Sequence, residues 1–171
     1  NYRTNIVGDL LTVDAEFEII VDERFIDSET EILNPDINVK YWDGATVEVV
    51  KPVGNVYTVT NGAQLAWISQ ESNKVVDFNN NPFNGAVIDI KADIHLNGKE
   101  FTPIYFYTHE DKLVTVNGNG HVISDYVING GENLGLFSDV RGNIKDLHVK
   151  NVTIKGTNRA GAVVGRLAGN M

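Results

Sequence analysis

The chain has 171 residues, of which 42% are hydrophobic and 22% charged, enough apolar content for one or two folded domains. Its 14 basic and 23 acidic residues leave a formal charge of -9. That charge argues against nucleic acid or an anionic membrane as partner, because either requires clustered Lys and Arg. There is no cysteine, which excludes disulfides and cysteine-ligated metal sites.

No apolar run approaches the roughly 20 residues of a membrane span. The chain opens Asn1-Tyr2-Arg3 with neither a Met nor a signal peptide, so the expectation is that an export signal lay upstream. Between Asn1 and Pro52, the alternation in Phe17-Glu18-Ile19-Ile20-Val21-Asp22 and Thr46-Val47-Glu48-Val49-Val50 reads as strands. Turns at Asn34-Pro35-Asp36 and Asp43-Gly44 break them. Such strands need a larger sheet to pair with, so residues 1–52 read as a tail that completes another domain. Lys51-Pro52-Val53-Gly54-Asn55 has the turn residues of a boundary, and residues 53–171 form the second domain.

Gly62 to Ser72 is the one convincing helix. Thr60 or Asn61 supplies its cap, Gln64 completes a capping box with Asn61, and Ala63, Leu65, Ala66, Trp67 and Ile68 form its apolar stripe. Laid across open strand edges, this helix would serve as an amino-terminal cap anchored by Trp67. Gly85–Ile90 and Ala92–Leu96 then read as short strands, followed by an Asn97-Gly98 turn.

From Val116 onward, short β-branched strands separated by Asn and Gly restart at a nearly regular interval, the signature of a parallel β-solenoid. Ile123-Ser124-Asp125-Tyr126-Val127-Ile128 slides onto Ile144-Lys145-Asp146-Leu147-His148-Val149 with a shift of roughly 21 positions. Gly135-Leu136-Phe137 is echoed by Gly161-Ala162-Val163-Val164-Gly165 at a slightly longer shift. Ile123, Tyr126, Ile128, Ile144, Leu147, Val149, Val152 and Ile154 would stack into one continuous core. The pattern stops at Met171 with no capping coil, so the chain reads as a piece of a longer protein. Asn117, Asn119, Asn129, Asn133, Asn143 and Asn151 suit coil corners, because Asn tolerates left-handed backbone and hydrogen-bonds its own turn.

Several groups resemble chemistry without carrying it. His121 and Asp125 could act as a general-base pair, but a His after a Gly-Asn-Gly turn more often satisfies backbone groups. Asp89, Lys91 and Asp93 share a strand face and could hold Ca²⁺ as solenoid lyases do; exposed strand charges are more often solvated. Neighbours in His109-Glu110-Asp111-Lys112 point in opposite directions and do not converge on one ion. Gly118-Asn119-Gly120 lacks the strand-to-helix setting of a nucleotide loop. No catalytic residue, metal site or cofactor is expected. The candidate ligand-binding residues are Tyr105, Phe106 and Tyr107, an aromatic cluster beside a polar loop, with Trp42 next to them in rank.

The order of motifs carries a family resemblance. Tyr2–Thr12 resembles the closing strands of fimbrillin-like domains from Bacteroidetes, and Val59–Ile68 resembles the helical entry of their β-helical surface proteins. Ala92–Ile104, Asn117–Ile123, Gly135-Leu136-Phe137 and Gly161–Arg166 are similar, in order, to successive signatures of GLUG-repeat proteins. At Leu113–His121 the chain departs from the family's Gly-Thr-Phe-Asp-Gly-Asn-Gly-His pattern. The resemblance implies an all-β protein, a fimbrillin-like tail followed by a short right-handed β-solenoid with a capping helix. It also implies an adhesin on the outer face of a bacterial outer membrane, lipid-anchored through an upstream segment and binding a host protein or glycan. A glycan-active enzyme of the lyase type and a passive stalk are the competing readings.

Overall fold

Residues 41–168 are described by the structure, a computed structural model of the chain. The strands expected in residues 1–40, and the Tyr2–Thr12 motif among them, lie outside the described residues.

The described chain is all-β apart from one α-helix and a 3-10 turn at Phe78–Asn80. In order, β1 is Val56–Val59, α1 Gly62–Asn73, β2 Val87–Ile90, β3 Ile94–Glu100, β4 Ile104–Phe106 and β5 Val114–Asn117. Next come β6 Val122–Asn129, β7 Glu132–Leu134, β8 Phe137–Val140, β9 Gly142–Lys145, β10 His148–Lys155, β11 Asn158–Ala160 and β12 Val164–Leu167. They build four sheets, ordered β1-β2-β5-β9, β10-β6-β3, β11-β7 and β12-β8-β4. Every pairing between these strands is parallel.

Parallel neighbours cannot be joined by a hairpin, so the chain leaves each sheet and visits others before returning. Register gives the length of that excursion. Val87 faces Thr115, Val114 faces Gly142 and Ile123 faces Val149, steps of 28, 28 and 26 residues from the numbering. The expected shift of roughly 21, with Ile123 over Ile144, is therefore corrected: Ile144 faces Val116 in a different sheet. The echo arose from shared left-handed backbone. Asp125, inside β6, and Asp146, in the link from β9 to β10, both hold positive φ, 59° and 47°. The second echo fares better, since Phe137 faces Val164 and the Gly161 N–H donates to the Leu134 carbonyl.

Alternation sorts side chains as the sequence suggests. Ile88 and Ile90 of β2, Val114 and Val116 of β5, and Ile104 and Phe106 of β4 are buried and join one apolar cluster. Through it runs a column of rings, Tyr57–Phe83–Phe106–Phe137, with successive centroids 5.2, 5.2 and 6.0 Å apart. Ile123, Tyr126, Ile128 and Ile144 are buried, whereas Leu147, Val149, Val152 and Ile154 only pack partly against the cluster.

Helix α1 forms where the cap residues place it. The Asn61 side chain accepts from the Gln64 N–H (2.9 Å), while Gln64 Oε1 reaches past Asn61 to accept from the Thr60 N–H (2.8 Å). Leu65 and Ile68, both fully buried, anchor the helix; Trp67, the expected anchor, is half-buried and stacks on Tyr57. The helix covers an edge: Ser72 Oγ accepts from the Tyr105 N–H of edge strand β4 (3.1 Å), and Ser69 Oγ donates to the Thr102 carbonyl (2.7 Å). An edge left bare would template association with another chain.

Residues 41–52, assigned by sequence to the tail, pack instead against β3 and α1. Tyr41 bridges His95, the Trp42 N–H donates to the His95 carbonyl and the Glu48 N–H to that of Ala63. The Asp43 turn forms as expected, its carboxylate accepting from the Ala45 and Thr46 N–H groups, but Thr46–Val50 is not a strand. Asn97-Gly98 is not a hairpin turn either. It lies inside β3 at a bulge, where His95 faces Ser124 and Lys99 faces Tyr126, and both residues take positive φ.

Candidate ligand-binding face

Strand β4 divides the aromatic cluster in two. Because successive side chains of a strand point to opposite faces, Phe106 is fully buried between Phe83 and Phe137, and Tyr105 and Tyr107 remain half-exposed on the other face. Phe106 is thus corrected from candidate ligand contact to core residue. Trp42 is corrected likewise: it is 8% exposed, sits edge-on to Phe101 (5.7 Å) and donates its indole N–H to the Thr46 carbonyl (2.8 Å).

The two tyrosines are brought side by side, with ring centroids 5.9 Å apart and planes within 13°. Parallel register then adds residues that the sequence reading missed. Tyr105 faces Asp139 of β8, which faces Arg166 of β12, so the three form one row across the sheet. In the next row, the Arg141 guanidinium lies 4.6 Å from the centre of the Tyr107 ring, a cation–π contact. The Arg141 backbone is held by Thr108, whose hydroxyl donates to its carbonyl (3.0 Å). Phe78 meets Tyr107 edge-on (5.5 Å) and tilts toward His109 (5.8 Å), extending the aromatic surface.

Charge on this face is held unevenly. Burial pushes the Asp139 carboxyl up, against the pull of Arg166 (Nε to Oδ2 3.4 Å) and of Arg141. Burial, and then the Asp139 carboxylate, also push the Tyr105 phenol up, so it stays a neutral hydroxyl able to donate or accept. The result is two nearly parallel rings flanked by two guanidiniums and one carboxylate. Such a surface offers apolar stacking area together with donors and acceptors at fixed positions.

The other sequence candidates are engaged within the fold. His121 pairs with Asp93 (3.1 Å) rather than Asp125, and Asp125 instead faces His95 (3.5 Å). Asp89 binds Lys91 (3.0 Å) and accepts from Asn119 (2.8 Å). Asp93 also accepts from the Val122 N–H, the main reason its carboxyl lies low. The Asp111 N–H donates to the His109 ring, closing that loop on itself (3.2 Å). Among the described residues no group of three or more His, Asp or Glu could hold a metal ion, and no helix is long and apolar enough to cross a membrane. Of the six corner asparagines, Asn119, Asn133 and Asn151 take left-handed backbone, joined by Asn97, Asp125, Asp146 and Arg159.

No protein-family model and no solved structure matches the chain. Over an alignment of 78 positions that covers 43% of the chain, it is 37% identical to part of Halomucin from Haloquadratum walsbyi. The chain spans 1% of the length of that curated relative.

Proposed function

We propose that this chain is a non-catalytic, adhesin-like display module of a cell surface. Its four parallel sheets wind as a short right-handed β-solenoid, and its Tyr105–Tyr107 face binds a glycan. Parallel ladders with returns near 28 residues support the solenoid reading, since that interval falls within the range of such repeats. Placement on the outer face of a bacterial outer membrane, as a fimbrillin-like or GLUG-type protein, rests on the motif order in the sequence.

The observation that carries the binding reading is the pairing of two parallel tyrosine rings with Arg141 and the Asp139–Arg166 row. Aromatic faces stack on the apolar face of a sugar ring, and flanking guanidinium and carboxylate groups read its hydroxyls. Because two cations border the rings, acidic glycans are the favoured class. A glycan array probed with the native chain and with Tyr105→Ala/Tyr107→Ala tests this. Binding to acidic glycans that disappears in the double variant is the expected result. An array on which the native chain binds nothing would leave the stalk reading in its place.

A further inference from the structure

We infer a second saccharide site, in the groove opened by the β3 bulge, that takes a neutral hexose residue. It lies on the β10-β6-β3 sheet, is built from other residues, and does not depend on the aromatic face. The bulge places two extra residues of β3 opposite β6. Beside it is a cavity of about 480 Å³ lined by Tyr41, His95, Asn97, Asp125, Asn151 and Thr153, among others. That is a volume suited to a small ligand.

One wall is an aromatic ring. Tyr41 is 59% exposed and leans on His95, centroids 5.5 Å apart, where it lines the groove. Among the described residues it is one of few large apolar side chains left so open. An exposed aromatic ring with few rotatable bonds stacks on the C–H face of a pyranose at little entropic cost.

The lining beside that ring is polar and hydrogen-bonded within the fold. The Asp125 carboxylate accepts from the Ser124 hydroxyl (2.5 Å) and the Asn151 amide (2.9 Å), which hold its carboxyl below the usual range and keep it ionised. Ser124 also lies 2.8 Å from His95 Nδ1, so His95, Ser124 and Asp125 form a closed triangle. This is not a hydrolytic triad: Ser124 is 2% exposed, and its hydroxyl and the carboxylate meet the same ring nitrogen. The triangle positions acceptors. Asp125 and Asn151 occupy facing positions of β6 and β10, since Ser124 faces Lys150 and Tyr126 faces Val152. Both hold left-handed backbone, φ 59° and 53°. Asn97 (φ 55°) and Thr153 add exposed polar side chains at the rim.

A carboxylate acceptor, amides able to donate and accept, and a stacking ring complement vicinal hydroxyls above an apolar sugar face. The groove lining holds the Asp125 carboxylate and no Lys or Arg, so it repels acidic sugars, which separates this site from the face bordered by two guanidiniums.

The test is titration of the 171-residue chain, followed by backbone amide NMR, with the methyl glycosides of mannose, galactose and glucose and with methyl glucuronide. At least one neutral glycoside should bind with millimolar affinity and move the amides of Asn97, Gly98, Asp125 and Asn151. Tyr41→Ala and Asp125→Asn should each weaken that binding at least tenfold with amide dispersion retained, since Asn tolerates left-handed backbone. Thr153→Val is a second, fold-neutral probe of the rim and should weaken binding in the same direction. Glucuronide should bind at least tenfold more weakly than the best neutral sugar. The proposal is overturned if no neutral glycoside moves these amides, if shifts are confined to Tyr105 and Tyr107, if Tyr41→Ala binds unchanged, or if glucuronide binds as well.

Discussion

Tyr105 and Tyr107 stack in parallel at 5.9 Å on the outside of β4, while Phe106 between them in sequence is wholly enclosed by Phe83 and Phe137. One strand therefore separates a binding role from a structural one, and substitution separates them experimentally. Phe106→Ala should destabilise by about 3–5 kcal/mol, through lost burial and the cavity left behind. Tyr107→Ala should cost only about 1 kcal/mol, because its ring is half-exposed and its main partners are Arg141 and Phe78. Urea denaturation measures both; similar losses for the two variants would contradict the division.

Helix α1 should be sensitive at its first turn. Asn61→Ala removes the acceptor for the Gln64 N–H and should cost about 1 kcal/mol. Gly62→Ala should cost more, about 1–3 kcal/mol, because a Cβ there would lie 2.5 Å from the Trp42 Cβ in a packed region that resists overfilling. Since the helix shields the edge of β4 through Ser72 and Ser69, both variants should also associate more readily. Light scattering at matched concentrations checks that outcome.

Stability should depend on pH in two opposed ways. The carboxyls of Asp93 and Asp125 lie below the ordinary value of 3.8, Asp93 mainly through the Val122 N–H and Asp125 mainly through the Ser124 hydroxyl. A depressed folded-state value means a stabilising contribution present above pH 3.8 and lost as pH falls through the lower folded value. Asp139 is shifted the other way by burial, so its ionisation opposes folding, and that penalty grows as pH rises from about 3.8 through the raised value. Asp139→Asn should thus gain stability relative to the native chain as pH rises from 4 to 7, whereas the Asp93→Asn loss should be constant over that interval and shrink only below pH 3.8. Denaturant midpoints across that range measure both differences, and an Asp139→Asn gain that is flat with pH would refute the assignment.

Much of this arrangement could be read from the sequence, because it rests on local rules. Asn61 and Gln64 mark a helix start, and Asn at Gly-rich corners signals left-handed backbone; the alternation of Ile104-Tyr105-Phe106 separates two faces without saying which is buried, so Phe106 stands with the tyrosines as a ligand candidate. What stayed hidden depends on register. Asp139 and Arg166 lie 34 and 61 positions beyond Tyr105 in the numbering, and only the pairings of β4 with β8 and β8 with β12 align them. The interval itself misleads because Asp125 and Asp146 share left-handed backbone, although the first lies inside β6 and the second in the link from β9 to β10. The groove is hidden for a related reason: Asn97-Gly98 has the composition of a hairpin turn, and nothing local tells a turn from a bulge in a parallel strand.

Those corners can be improved. Asn133 and Arg159 face each other across β7 and β11, between the pairs Glu132–Asn158 and Leu134–Ala160, and both hold left-handed backbone, φ 52° and 48°. Asn tolerates that conformation better than a long side chain does, and a left-handed residue other than Gly, Asn or Asp carries about 1–2 kcal/mol of strain. Arg159 is such a residue, and it is exposed. Arg159→Gly should relieve the strain at the cost of greater freedom in the unfolded chain, and Arg159→Asn should relieve part of it without that cost. Arg159→Asn is therefore expected to stabilise by roughly 0.5–1 kcal/mol, with Arg159→Gly gaining less. Arg159→Val, β-branched and ill-suited to positive φ, should destabilise. This order, read from thermal midpoints of the three variants, depends on backbone conformation alone; if valine proved as good as asparagine, the corner could not be left-handed.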